Sequence, residues 1–147
     1  MQKAQGLLKH LSQSGPLRAK ELCEFLGISQ PALSRLIGRG EHSIIRIGHG
    51  RQTRYALHRL GAWGKPAIPI VVIDEEGRQT GVAALHPLSP QGFYLESDAE
   101  MFSSRIYERL PYFFEDLRPS GFLGRLIPGL HPDLALPEDI SLWTDEH

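Results

Sequence analysis

Between residues 19 and 36 the side chains follow a spacing that few local folds satisfy. Ala19, Leu22, Cys23 and Leu26 recur at helical intervals and Gly27 interrupts them. Ser29 and Pro31 then open a second run, with Leu33, Leu36 and Ile37 on one face. Two helices that meet at a sharp angle need a small side chain at the contact and a turn residue that tolerates positive φ. Cys23 and Gly27 meet those needs, and Leu22, Leu26, Ile28, Leu33 and Leu36 supply the packing. The spacing predicts a helix-turn-helix whose recognition helix covers residues 29–37, capped by Ser29 and stopped by Gly38 and Gly40. One position departs from the pattern: Arg18 stands where a capping Ser, Thr or Asp is usual.

The flanking sequence extends this reading. Ala4, Leu7, Leu8 and Leu11 form an earlier helical stripe that ends at Ser14-Gly15-Pro16. Residues 44–47 and 52–57 read as two strands joined across Gly48-His49-Gly50-Arg51, which makes the expected unit a winged helix-turn-helix. Thr53, Tyr55 and Leu57 alternate with Gln52, Arg54 and Ala56, so one strand face is expected on the helices and the other toward solvent or DNA. With the apolar offsets turned inward, Ser29, Gln30, Ser34 and Arg35 face out. Gln and Arg can bind adenine and guanine edges in a major groove. Arg39 suits a phosphate, and His49, Arg51 and Arg54 in the wing can reach phosphate or a minor groove. Surface arginines, Arg46 among them, often do no more than keep a ribbon soluble. One loop after a helix-turn-helix, contact with DNA is the stronger expectation.

Charge is divided along the chain. Up to Lys65 there are eleven Lys and Arg against three Glu, net +8; from Pro66 onward five Arg face fourteen Asp and Glu, net −9. The division coincides with Gly61-Ala62-Trp63-Gly64-Lys65-Pro66, where glycine and proline break any periodicity. Residues 1–65 are therefore expected to form a basic DNA-binding unit and residues 66–147 a second, acidic one. Winged helices can also serve as protein-docking modules, but the basic balance favours double-stranded DNA. In the second unit, residues 68–73 and 78–85 read as strands around the turn Asp74-Glu75-Glu76-Gly77, and residues 92–96 as a third. Ser97 and Asp98 suggest a cap for a helix over 99–110, with further helical turns near 111–117 and 122–127. The fold class expected is α+β: a winged helix-turn-helix, then a small α+β unit with an antiparallel sheet.

Several chemistries find no support in the residues. The single cysteine excludes an internal disulfide framework and fits a reducing cytoplasm. No apolar run reaches membrane-spanning length, and the N-terminal residues lack the apolar core of a secretory signal. No lysine follows Lys65 and no glycine-rich phosphate loop is present. The seven histidines lack ligand spacing, so neither metal nor cofactor is expected, and no catalytic residue is assigned. Glu115 and Asp116 are adjacent and do not share a helix face, so an ion pair with Arg118 or Arg125 is favoured over acid–base catalysis.

The run from Phe114 to Arg125 carries a more specific signal. Phe114, Leu117, Pro119, Gly121 and Arg125 resemble the end of the small N-terminal subdomain of HipA-family serine/threonine kinases, and Gly81 matches a glycine in that subdomain's short strand. Arg118 and Ser120 depart from the common form; Arg118-Pro119-Ser120-Gly121-Phe122-Leu123-Gly124-Arg125 is more similar to the YjjJ branch, in which a winged helix precedes the kinase-like region. The resemblance implies a regulatory DNA-binding segment linked to a HipA-like toxin–antitoxin kinase, with the second unit docking on a kinase core in cis or in trans. Kinase activity does not carry over, since no residue here matches the family's catalytic positions. The alternative is a protein-interaction or inhibitory module of such a kinase, with DNA binding incidental. Paired half-sites make a homodimer the expected assembly.

Overall fold

The computed structural model describes residues 2–38, 43–60, 64–98 and 102–147. It is a mixed α and β structure with two antiparallel sheets. Helix α1 (Gln2–Ser14) leads into a two-residue strand β1 (Leu17–Arg18), then α2 (Ala19–Leu26), α3 (Gln30–Gly38) and strands β2 (Ile44–Ile47) and β3 (Arg54–Leu57). The first sheet has the order β1-β3-β2. Strands β4 (Ile68–Ile73), β5 (Gln79–Pro87), β6 (Phe93–Ser97) and β7 (Arg105–Tyr107) form the second, in chain order. Short helices α4 (Tyr112–Glu115) and α5 (Gly121–Leu130) follow.

The helices occur where apolar periodicity places them. Leu7, Leu11, Leu22 and Leu33 are fully buried together, with Cys23, Leu26, Ile28, Leu36, Tyr55 and Leu57 packed around them. Gly27 closes α2 in the left-handed conformation (φ 59°, ψ 45°), and the Ile28 N–H donates to the Cys23 carbonyl at 3.1 Å. The anomalous Arg18 is explained by its neighbour: its backbone N–H donates to the Glu21 carboxylate at 2.6 Å, the half of a capping box that does not depend on the residue at the cap.

The first sheet differs from expectation in a way that matters. Strand β3 starts at Arg54, because Gly50–Gln52 is a tight helical turn that takes Gln52 out of the strand. Its second face, expected toward solvent or DNA, is covered at Ala56, while Arg54 on the same face stays partly exposed. Ala56, fully buried, and Ile47 pack against Leu88, just past β5, and Tyr94 of β6, with Ile45 alongside. Backbone bonds continue across this seam: Ser89 N–H to the Leu57 carbonyl (2.8 Å) and Arg59 N–H to the Pro87 carbonyl (2.9 Å). The Arg59 side chain donates to the Leu88 carbonyl at 2.6 Å, lies over the Phe93 ring and pairs with Glu146 near the C-terminus. A β-strand that covers a core on each face cannot show the alternation of a half-exposed one.

The helix expected over 99–110 is also corrected. Residues 99–101 lie outside the described residues, and the remainder is not helical: Arg105–Tyr107 is strand β7, pairing antiparallel to β6, and residues 108–110 bend away. Asp98 is no cap: its N–H continues the ladder to the Val82 carbonyl at 3.2 Å. Ser104 accepts from the Ser97 N–H and donates to the Ser97 carbonyl, which fastens the returning chain beside β6. Ile106 and Tyr107 then fall on opposite faces, and Tyr107 joins Phe102, Leu110, Phe113 and Phe114 around buried Leu85, Phe93 and Leu95. Glu115 pairs with Arg109 at 3.8 Å, while Arg118 turns to Asp145 at 3.7 Å, so the expected partner of Glu115 was wrong.

Candidate nucleic-acid interface

The surface of α3 follows from what its other face buries. With Leu33 inside the helical core, Gln30, Ser34 and Arg35 are exposed on the outward side at the spacing of one helix face. Ser29, also exposed, stands just before the helix, and its backbone carbonyl accepts from the Leu33 N–H at 3.0 Å. The Arg35 side chain folds back along the helix, and its Nε donates to the Pro31 carbonyl at 3.3 Å. That contact leaves the remaining guanidinium donors available at the N-terminal end of α3.

Beside this end lies a cleft of about 310 Å³, walled by Gln30 of α3, by Arg18 and Lys20 at the start of α2, and by Arg46 and Arg51 of the hairpin. Antiparallel pairing of β1 with β3 brings Arg18 to the hairpin. Among the described residues, Arg18, Arg46 and Arg51 have no carboxylate at ion-pair distance, and Lys20 has only a loose contact with Glu24 at 3.9 Å. Four cations around one concave surface form a positive pocket suited to phosphate oxygens. Sequence reading missed Arg18 and Lys20 as members of this group. The only available signal was their position at a helix start, and the two-residue strand that turns them toward the hairpin is too short to read.

The other hairpin residues expected to contact DNA lie elsewhere. Arg54 occupies the strand face opposite Tyr55, and with His49 it lines a larger cleft of about 990 Å³ against the second sheet, where Glu96, Asp98 and Glu108 form part of the wall. The structure thus brings Gln30, Ser34, Arg35 and Arg51 to one side of the first unit and puts His49 and Arg54 at the seam. Arg39 lies outside the described residues.

The seam also holds a histidine pair. The Glu96 carboxylate can only accept, so His86 Nε2–H donates to it (3.3 Å) and His86 Nδ1 accepts from His58 Nε2–H (3.1 Å). Burial pushes the His86 imidazole below its ordinary pKa of 6.5, partly opposed by the negative charge of Glu96. The sign is fixed by linkage. Below about pH 6.5 the unfolded chain takes up a proton that the folded chain resists, so stability is lost on acidification; above it both states are neutral and this group contributes no slope. Thermal melts from neutral pH down to about pH 5 are expected to fall more steeply for the wild type than for His86→Asn. Equal slopes would remove His86 as the cause.

Comparison with known proteins adds family information. The family model for the middle domain of YjjJ-like toxins matches residues 64–147. The chain is 40% identical over 140 residues to Toxin YjjJ of Escherichia coli (strain K12), an alignment that covers 95% of this chain and 31% of that protein. The chain therefore spans about a third of the length of the curated relative it matches. No solved structure matches it.

Proposed function

The chain belongs to the family of YjjJ-like toxins, and we propose that its first 65 residues are a winged helix-turn-helix that binds double-stranded DNA. On this reading α3 enters the major groove with Gln30, Ser34 and Arg35 toward base edges, while Arg18, Lys20, Arg46 and Arg51 hold phosphates on the flanking strand. The observation that carries it is the junction of an exposed polar helix face with a cleft whose arginines, among the described residues, have no carboxylate at ion-pair distance. The second unit is then the small N-terminal subdomain of a HipA-like serine/threonine kinase, and the whole acts in cytoplasmic transcriptional control linked to a toxin–antitoxin kinase. The residues described here bind and position; no catalytic role is assigned to them.

The test is a mobility shift on duplex DNA across a salt series. Arg35→Ala combined with Arg51→Ala is expected to weaken binding at least about tenfold and to reduce the salt slope by roughly one, as loss of one base contact and one phosphate contact requires. Unchanged affinity in the double variant would overturn the recognition-helix assignment.

A second reading rests on a different observation. Leu117, Phe122, Leu123 and Leu130 are each at least two-thirds exposed on and before α5, an apolar surface of the kind that meets protein. It makes the chain a docking or inhibitory module of a HipA-like kinase core, with DNA binding incidental. Capture of that core together with only nonspecific DNA affinity would favour it.

A further inference from the structure

We infer that the cleft beside α3 is a seat for one phosphate group, with the hydroxyl of Thr53 as its innermost donor. For a phosphate of the DNA backbone the inference rests on the reading above and adds the residue that fixes the seat. A phosphate ester in solution presents the same oxygens and needs no DNA. Thr53 is only 6% exposed, and among the described residues its Oγ1 has no hydrogen-bond partner. A buried hydroxyl left unpaired costs stability, and valine has the same shape without that cost. The sheet register says where the group lies. Strand β1 pairs with β3 as Leu17 with Tyr55 and Arg18 with Arg54, and one further step sets Thr53 level with Ala19, the first residue of α2. Alternation puts the Thr53 side chain on the face of Tyr55, and both residues line the cleft.

Charge and shape select the ligand class. Arg18 and Lys20 at the start of α2 and Arg46 and Arg51 on the hairpin are all exposed around the opening. Glu21, the acidic residue in the first turn of α2, is turned to the Arg18 N–H and forms no part of the wall. The opening N–H groups of α2 have no carbonyl one turn earlier to bind, and Ala19 and Lys20 both line the cleft. Cations on opposite walls favour an anion with oxygens on several sides, which a tetrahedral phosphate has and a planar carboxylate lacks. The volume of about 310 Å³ is at the small end for ligand sites, room for one such group rather than a run of them. Turning Thr53 about its Cα–Cβ bond exchanges hydroxyl and methyl, so offering Oγ1 to the anion needs no movement of the backbone.

Two titrations of the 147-residue chain test this. One adds inorganic phosphate and follows amide chemical shifts, with chloride at equal ionic strength as the control. The other adds duplex DNA across a salt series. Phosphate is expected to shift the Ala19, Lys20 and Thr53 amides saturably where chloride does not. Thr53→Val is expected to weaken binding about tenfold while the melting temperature stays level or rises, since the variant loses an unpaired hydroxyl. Thr53→Ser keeps the donor and most of the affinity. On duplex the loss comes with an unchanged salt slope, because a neutral donor releases no counterion. A Thr53-dependent phosphate titration without duplex binding identifies a phosphate ester in solution as the occupant, and the inference then stands although the DNA reading falls. A Thr53-dependent effect on duplex alone identifies the backbone phosphate. Phosphate shifts that only match chloride, with duplex affinity indifferent to Thr53→Val, overturn the inference. So does a loss of affinity in Thr53→Val that is accompanied by a fall in melting temperature.

Discussion

Replacing Gly92 by valine is expected to lower the stability of the chain by about 2–5 kcal/mol, the combined cost of backbone strain and forced overpacking. Gly92 has φ of +90°, and a Cβ there would lie 2.6 Å from the Tyr107 carbonyl oxygen, a backbone atom that cannot move without β7. Its own carbonyl accepts from the Leu88 N–H at 2.9 Å, so rotating away breaks the entry to β6 beside the seam. For a chain of this length the change corresponds to a melting temperature lower by roughly 10 °C. Circular dichroism melts measure it, and exchange at Arg105–Tyr107 should rise with it. A melt within about a degree of the wild type would mean that β7 yields freely, contrary to the fixed register described above.

Leu33→Ala is expected to cost about 2–5 kcal/mol, since the side chain is only 1% exposed among three other fully buried leucines from α1 and α2. Because Leu33 fixes which face of α3 points outward, duplex affinity should fall with stability. Its exposed neighbour Ser34 provides the contrast: Ser34→Ala should leave unfolding within about 0.5 kcal/mol of the wild type. Chemical denaturation of the two variants decides the matter. Similar small losses in both would show that α3 is not anchored as described.

What the sequence made legible was what short-range periodicity encodes. Helices α1 to α3, the turn at Gly27, strand β2 and the hairpin around Asp74 depend on neighbours within one or two turns, and each was read close to its observed place. The losses were all long-range. Ala56 looks like a modest solvent-face residue until Leu88 and Tyr94 arrive from thirty or more positions away to cover it. Ser97 and Asp98 have the chemistry of a helix cap, and only the approach of Val82 from β5 and of Ser104 from the returning chain decides that they continue a ladder. The outward face of α3 was readable because its buried face was; the cleft beside it was not, since Arg18 reaches Arg51 through a pairing between β1 and β3 that spans some forty residues.

The boundary in charge near residue 65 invites the view that a DNA reader could be lifted away from its acidic companion. The seam says otherwise. Cutting there would strand Ile45, Ile47 and Ala56 against water and strip Arg59 of its acceptors, so the fragment would carry a sticky sheet face and a loosened wing. Electrostatically the protein has two provinces, but mechanically it has one spine, and β3 is its shared vertebra. A force that tilts the hairpin must also tilt the second sheet. Whatever the acidic half binds is therefore positioned to alter the basic half, and with it the grip on DNA proposed above.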